Sequence, residues 1–306
     1  MRVTANGLAI EVDDVGPRDA PPVLLVMGLG MQLTGWPEDF VKELLERGFR
    51  VIRFDNRDAG LSEGFDHAGV PNIGLAALRH LLRLPLRSPY ALRDMAADAA
   101  GVLDALGVAR AHVVGASLGG MIAQYLAAEH PERVDSLTLI MTTSGSRRLP
   151  GPTRRARSAL LSRPRSSATD ALIDHSIGVF TAIGSPRFRP EATELRERVA
   201  ASIARAFRPA GAARQLLAIA ADGDRTPMLR RIAAPTQVIH GVVDPLIPVQ
   251  NGHDLVRRIP GARGDFIEGM AHDLPAPLLP RIADLVAANA RRAHNEERSP
   301  EAASKG

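Results

Sequence analysis

Cysteine is absent from the 306 residues, and this gap excludes disulfides, zinc–thiolate centres and a thiol nucleophile. Lysine is almost absent too, occurring only at Lys42 and Lys305, so arginine carries nearly all the positive side of a formal net charge of +4. The arginines alternate with Asp and Glu instead of forming a stripe, which argues against nucleic acid as a partner. Even the densest basic stretch, from Arg147 and Arg148 to Arg165, reads as a solvated face. No apolar run reaches the length of a membrane span, and the first residues enter strand-like sequence, not an apolar leader. The expectation is a cytoplasmic protein with no membrane partner. No histidine and carboxylate group has metal-ligand spacing, so neither a metal nor a cofactor is expected, and no internal repeat is found.

What is present centres on residues 111–120, AHVVGASLGG. A short apolar run is broken by Gly115-Ala116-Ser117-Leu118-Gly119, and Met121, Ile122, Tyr125 and Leu126 then recur at helical spacing until His130-Pro131. A G-x-S-x-G sequence on a strand-to-helix turn is a nucleophile elbow. The turn is so tight that a side chain at either glycine would collide with neighbouring backbone, and the serine hydroxyl is pushed outward.

Around it the chain alternates strands and helices. Asn6-Gly7 between two short runs signals a type I′ hairpin over residues 3–12. Strands are predicted at 23–27, 51–54, 112–114, 137–141, 236–239 and 264–267. Helices are predicted at 38–47, 94–106, 249–259 and 278–289, with a leucine-rich patch at 75–86 read as a short helix over the pocket. Between 144 and 231 there is no convincing strand, only helical stretches at 153–162, 169–180, 191–207 and 212–221 separated by prolines. The prediction is an α/β fold: a mostly parallel eight-stranded sheet with helices on both faces, and an all-helical cap inserted after the sixth strand. Residues 1–144 and 233–290 form the core and 145–232 the cap or lid, and 291–306 are expected to be a disordered tail.

A serine hydroxyl needs a base, and the base an orienting acid. Downstream of Ser117, Asp244 and His272 each follow a different predicted strand, giving the order Ser, Asp, His. Ser117 is the candidate nucleophile, His272 the general base and then acid, and Asp244 the carboxylate that fixes its tautomer. The candidate oxyanion donors are the backbone N–H groups of Leu118 and of Leu29 in Met27-Gly28-Leu29-Gly30.

The stretches VMGLGMQLTGWP, VIRFDNRDAGLS, VVGASLGGMIAQ, IHGVVDPLIP and MAHDLP match, in type and order, the motifs of the α/β-hydrolases. Within that family the chain resembles bacterial carboxylesterases of the kind that includes the anthracycline (aclacinomycin) methylesterase. The resemblance implies hydrolysis of a small-molecule ester under a helical cap, by a monomer or homodimer. Lactone hydrolysis, carbon–carbon bond hydrolysis and cofactor-free perhydrolysis use the same triad and stay open; a non-catalytic receptor is the contrasting class. Two departures stand out: Met27 where many relatives have histidine, and Asp58 where the family's DxRGxGxS loop has glycine. Met31, Trp36, Phe65 and Tyr90 are the candidate pocket residues, with core packing an equal alternative for Trp36.

Overall fold

A computed structural model describes residues 1–82 and 84–303. The chain opens with the hairpin β1 (Arg2–Ala5) and β2 (Leu8–Val15), turned by Asn6 and Gly7, both at positive φ, as a type I′ turn requires. β3 (Pro22–Val26), β4 (Arg50–Phe54), β5 (Ala111–Ala116), β6 (Val134–Ile140), β7 (Thr236–Gly241) and β8 (Arg263–Ile267) complete an eight-stranded sheet in the order β1-β2-β4-β3-β5-β6-β7-β8. The pairs that involve β1 and β2 are antiparallel, and all others are parallel.

Successive strand residues point to opposite faces, and two cores result. Leu24 and Val26 face one with α3 (Leu92–Ala105) and α4 (Leu118–Glu129); Val23 and Leu25 face the other with α1 (Glu38–Glu46) and α11 (Leu279–Ala303). The order reverses direction from β3 outward, so loops at the carboxyl ends of neighbouring strands gather along one rim, where open α/β sheets hold their ligands.

Several boundaries differ from the sequence reading. The leucine-rich patch condenses into a helix only at α2 (Ile73–Leu81), where Leu75, Leu78 and Leu81 are exposed. The closing helix does not stop near residue 289: α11 continues to Ala303, so residues 291–303 are helical where a disordered tail was expected, while 304–306 lie outside the described residues. Burial itself runs past residue 289, since Ala290 and Ala293 are buried, and the Ala, Arg and Glu residues that follow are good helix formers.

Between β6 and β7 lie α5 (Arg154–Leu161), α6 (Thr169–Ile183), α7 (Ala192–Arg205), α8 (Pro209–Asp222) and the short α9 (Thr226–Leu229), a turn not foreseen. The insertion docks on the core through buried polar groups. Arg214 of α8 donates to both oxygens of Asp58, at 2.8 and 2.7 Å, and also to the carbonyl of Gly69 and to Asp66. Tyr90 Oη and the N–H of Phe65 donate to the same aspartate, at 2.7 Å each. Arg205 of α7 reaches Asp55 at 2.8 Å and Gln32 at 2.5 Å. The residue that replaces the family glycine is thus the core's socket for an insertion arginine.

Burial alone would raise the Asp58 carboxyl; the hydrogen bonds from Arg214, Phe65 and Tyr90 outweigh it and hold the group below its ordinary 3.8. A depressed carboxyl stabilises the fold above the ordinary range, and that contribution is lost as the pH falls through the lowered value. Arg214→Met, which strands Asp58 in the interior, is expected to cost about 3–5 kcal/mol in urea unfolding at neutral pH. Asp58→Asn is expected to flatten the acid limb of the stability profile. A loss below about 1 kcal/mol for Arg214→Met, within the range of exposed pairs, contradicts the buried-socket account.

Candidate active site

Ser117 occupies the single residue between β5 and α4, at φ 54° and ψ −117°. A positive φ is uncommon outside glycine and costs energy unless the surroundings enforce it. Here they do. The Ser117 N–H donates to the Ile140 carbonyl at 2.9 Å, and its own carbonyl accepts from Thr142 Oγ1 at 2.7 Å. A Cβ at Gly119 would lie 1.9 Å from the Val26 carbonyl oxygen, and one at Gly115 would lie 2.4 Å from the Gly119 carbonyl oxygen. The motif's glycines are therefore a condition for seating α4 against β3 and β5 at this angle.

Asp244 and His272 come to the same rim from the loops after β7 and β8. His272 Nε2 lies 3.0 Å from Ser117 Oγ, and its Nδ1 lies 2.7 Å from Asp244 Oδ2. A carboxylate only accepts, so the ring proton sits on Nδ1 and the Nε2 lone pair faces the serine. The other oxygen, Asp244 Oδ1, accepts the N–H groups of Leu246 and Ile247 at 2.8 Å each. With both oxygens engaged, the buried carboxylate has one orientation.

A second imidazole stands close by. His240, completely buried in β7, has Nε2 3.6 Å from Asp244 Oδ2 and 2.7 Å from the Ile247 carbonyl. A carbonyl can only accept, which puts the proton on Nε2, and Nδ1 is buried without a partner. Burial lowers the His240 pKa from its ordinary 6.5 despite the nearby carboxylate. The ring is neutral beside Asp244 and leaves that charge to His272. Asp273 turns away from the triad into the insertion, where it accepts from the Ser185 hydroxyl and, at 2.9 Å, from its N–H; burial raises its carboxyl.

The turn after β3 runs beside the serine: a Cβ on Gly28 would stand 3.3 Å from Ser117 Cβ. The N–H of Leu118 opens α4, where the first N–H groups of a helix have no intrahelical acceptor. Of the pocket candidates, Met31 and Phe65 are partly buried and pack against the two cores. Trp36 is fully buried and stacked on Phe40 at 5.6 Å, a core residue and not a pocket wall. Tyr90 is committed to Asp58 and lies edge-on to Phe65 at 5.0 Å, so it belongs to the docking socket of α8.

Sequence reasoning missed the partners supplied by the insertion: Arg205, Arg214, Gln215 and Ser185. The available signal was Asp58 itself, since an aspartate in a loop between buried strands demands a cation. In a chain so rich in arginine, nothing marks which arginine provides it.

The sequence profile of the alpha/beta hydrolase fold matches residues 21–275. Rhodomycin D methylesterase DauP of Streptomyces sp. (strain C5) is 30% identical over 315 residues, covering 95% of this chain and 98% of its own. Rhodomycin D methylesterase DnrP of Streptomyces peucetius is 31% identical over 300 residues, covering 90% and 93%. Among solved structures, the enol-lactonase from Burkholderia xenovorans LB400 superposes with a TM-score of 0.72 at 24% identity, over 94% of this chain and 99% of the other. The family profile spans most of the chain and two relatives match it nearly end to end: the chain belongs to the alpha/beta hydrolase fold family, with rhodomycin D methylesterases among its relatives.

Proposed function

We propose that this protein is a serine hydrolase that cleaves small carboxylic esters, of the methylesterase kind, through an acyl-enzyme. The observation that carries the reading is the continuous hydrogen-bond chain from Ser117 through His272 to Asp244, at 3.0 and 2.7 Å. Two sequence relatives of 30% and 31% identity, matched over 95% and 90% of the chain, are methylesterases by name, which favours esters; the likeness to an enol-lactonase, at 24% identity, speaks for the fold alone.

In this mechanism Ser117 Oγ attacks the ester carbonyl carbon as its proton passes to His272 Nε2. Asp244 stabilises the imidazolium that forms. The carbonyl oxygen becomes an oxyanion held by the N–H groups of Leu118 and Leu29. Collapse of the tetrahedral intermediate breaks the bond to the alkoxy oxygen, and His272 returns the proton so that the alcohol departs. Water, deprotonated by the same imidazole, attacks the acyl-enzyme, and the carboxylic acid leaves with Ser117 restored. The helical insertion acts as the cap over this site, and the residues it turns inward select the substrate.

Hydrolysis of a chromogenic short-chain ester, abolished by a serine-directed phosphonate, is the first expected result. Ser117→Ala is expected to lower kcat by about 10 000-fold or more, whereas retention of the wild-type rate removes Ser117 from the role of nucleophile.

A further inference from the structure

The loop that carries the proposed oxyanion donor Leu29 is held by the helical insertion. Residues 28–31 form a turn in which Gly28 C=O accepts the Met31 N–H at 3.2 Å, with Gly30 at φ +65°, the positive φ that a type II turn requires at its third residue. Leu29 N–H shares a planar trans peptide with Gly28 C=O, so fixing one fixes the other in the opposite direction. The next peptide exposes the Gly30 N–H, which donates to Gln215 Oε1 of α8 at 2.8 Å. The same side chain donates from Nε2 to the Arg57 carbonyl at 2.7 Å.

Gln215 is fully buried in α8, beside the buried Leu217 and Ala218. Burying an amide is unfavourable unless both of its ends are bonded, and here both ends bond to backbone, one in each of the loops that follow β3 and β4. The fit is close on all sides. A Cβ on Gly211 would stand 2.0 Å from the Asp58 carbonyl oxygen, and one on Gly30 would stand 3.0 Å from Ala212 Cβ. Arg214, the adjacent residue, anchors the helix through Asp58. On the far side of the turn Asn56 Nδ2 donates to the Met27 carbonyl at 2.9 Å, and Asp55 accepts the Leu33 N–H at 2.6 Å.

We propose that Gln215 is a positioning residue for the oxyanion hole: its amide clamps the Gly28–Met31 turn to the loop after β4, and the Arg214–Asp58 pair sets the helix that delivers it. This inference rests on the esterase reading above, because it assigns the turn a part in holding the oxyanion. The insertion then has two duties, covering the substrate and completing the rigidity of the core's own catalytic turn. Donors fixed in advance are the ones that stabilise developing charge, since nothing must reorganise at the moment of reaction.

The test compares the wild type with Gln215→Met, which keeps the volume and loses both bonds, Gln215→Asn, which keeps the amide but draws it back by one methylene, and Gln215→Glu, which keeps an acceptor for Gly30. Three readouts apply: steady-state kinetics on p-nitrophenyl acetate, inhibition by an alkyl trifluoromethyl ketone whose serine adduct places an oxyanion in the hole, and hydrogen exchange of the Gly30 amide. For Gln215→Met and Gln215→Asn, kcat is expected to fall about 10- to 100-fold, the scale set by misplacing a catalytic group by about an ångström. KM should stay nearly constant, ketone binding should weaken in proportion to kcat/KM, and Gly30 exchange should accelerate. Gln215→Glu should recover much of each effect. A folded Gln215→Met or Gln215→Asn with wild-type kcat, or with unchanged Gly30 exchange, overturns the proposal. A fall in activity through KM alone, with ketone binding intact, also overturns it. If the wild type itself leaves the ester untouched, the esterase reading has failed, and Gly30 exchange still decides whether Gln215 clamps the turn.

Discussion

The seating of α4 against the carboxyl end of β3 is the constraint on which the rest of the structure turns. With only hydrogen at Gly119, the first turn of the helix approaches the Val26 carbonyl closely enough to force Ser117 to φ 54°. The sheet order places β3 beside β5, so the turn after β3 passes the serine at van der Waals distance. The positions of the Ser117 hydroxyl and of the N–H groups beside it therefore follow from one packing event.

Convergence of the other two groups follows from topology. Parallel strands end at the same rim, and side chains 28 and 155 residues apart meet at hydrogen-bond distance in the loops after β7, β8 and β5. The electrostatics are arranged to keep a single charge there. Asp244 spends one oxygen on two backbone N–H groups and turns the other to His272, while the neighbouring His240 is held neutral by burial. A second cation at that point would compete for the carboxylate and weaken its hold on the His272 ring.

The elements built from local signals were legible in the sequence. Asn6-Gly7, the apolar runs of the parallel strands, the elbow glycines and the order of Ser117, Asp244 and His272 each follow from short-range chemistry, and the structure brings those three side chains together. Trp36 was ambiguous because an aromatic beside a glycine-rich loop can face either way; its stacking on Phe40 resolves it to the core. The bridges from the insertion were illegible for a different reason. Asp58 announces a buried charge, but its partner lies 156 residues away in a helix whose sequence has no feature beyond one more arginine. The end of α11 was not legible because beyond residue 289 the only buried apolar side chains are the small Ala290 and Ala293, among the residues whose burial is described, too weak a periodic signal to mark a helix that continues to Ala303.

The central claim, that Ser117 carries the acyl group, is tested most directly by acid-quenching the protein during turnover of a slowly deacylated ester and mapping the adduct by mass spectrometry. One acyl group on the peptide containing Ser117 is the predicted result. Turnover with no adduct, or with the acyl group on another residue, contradicts the account.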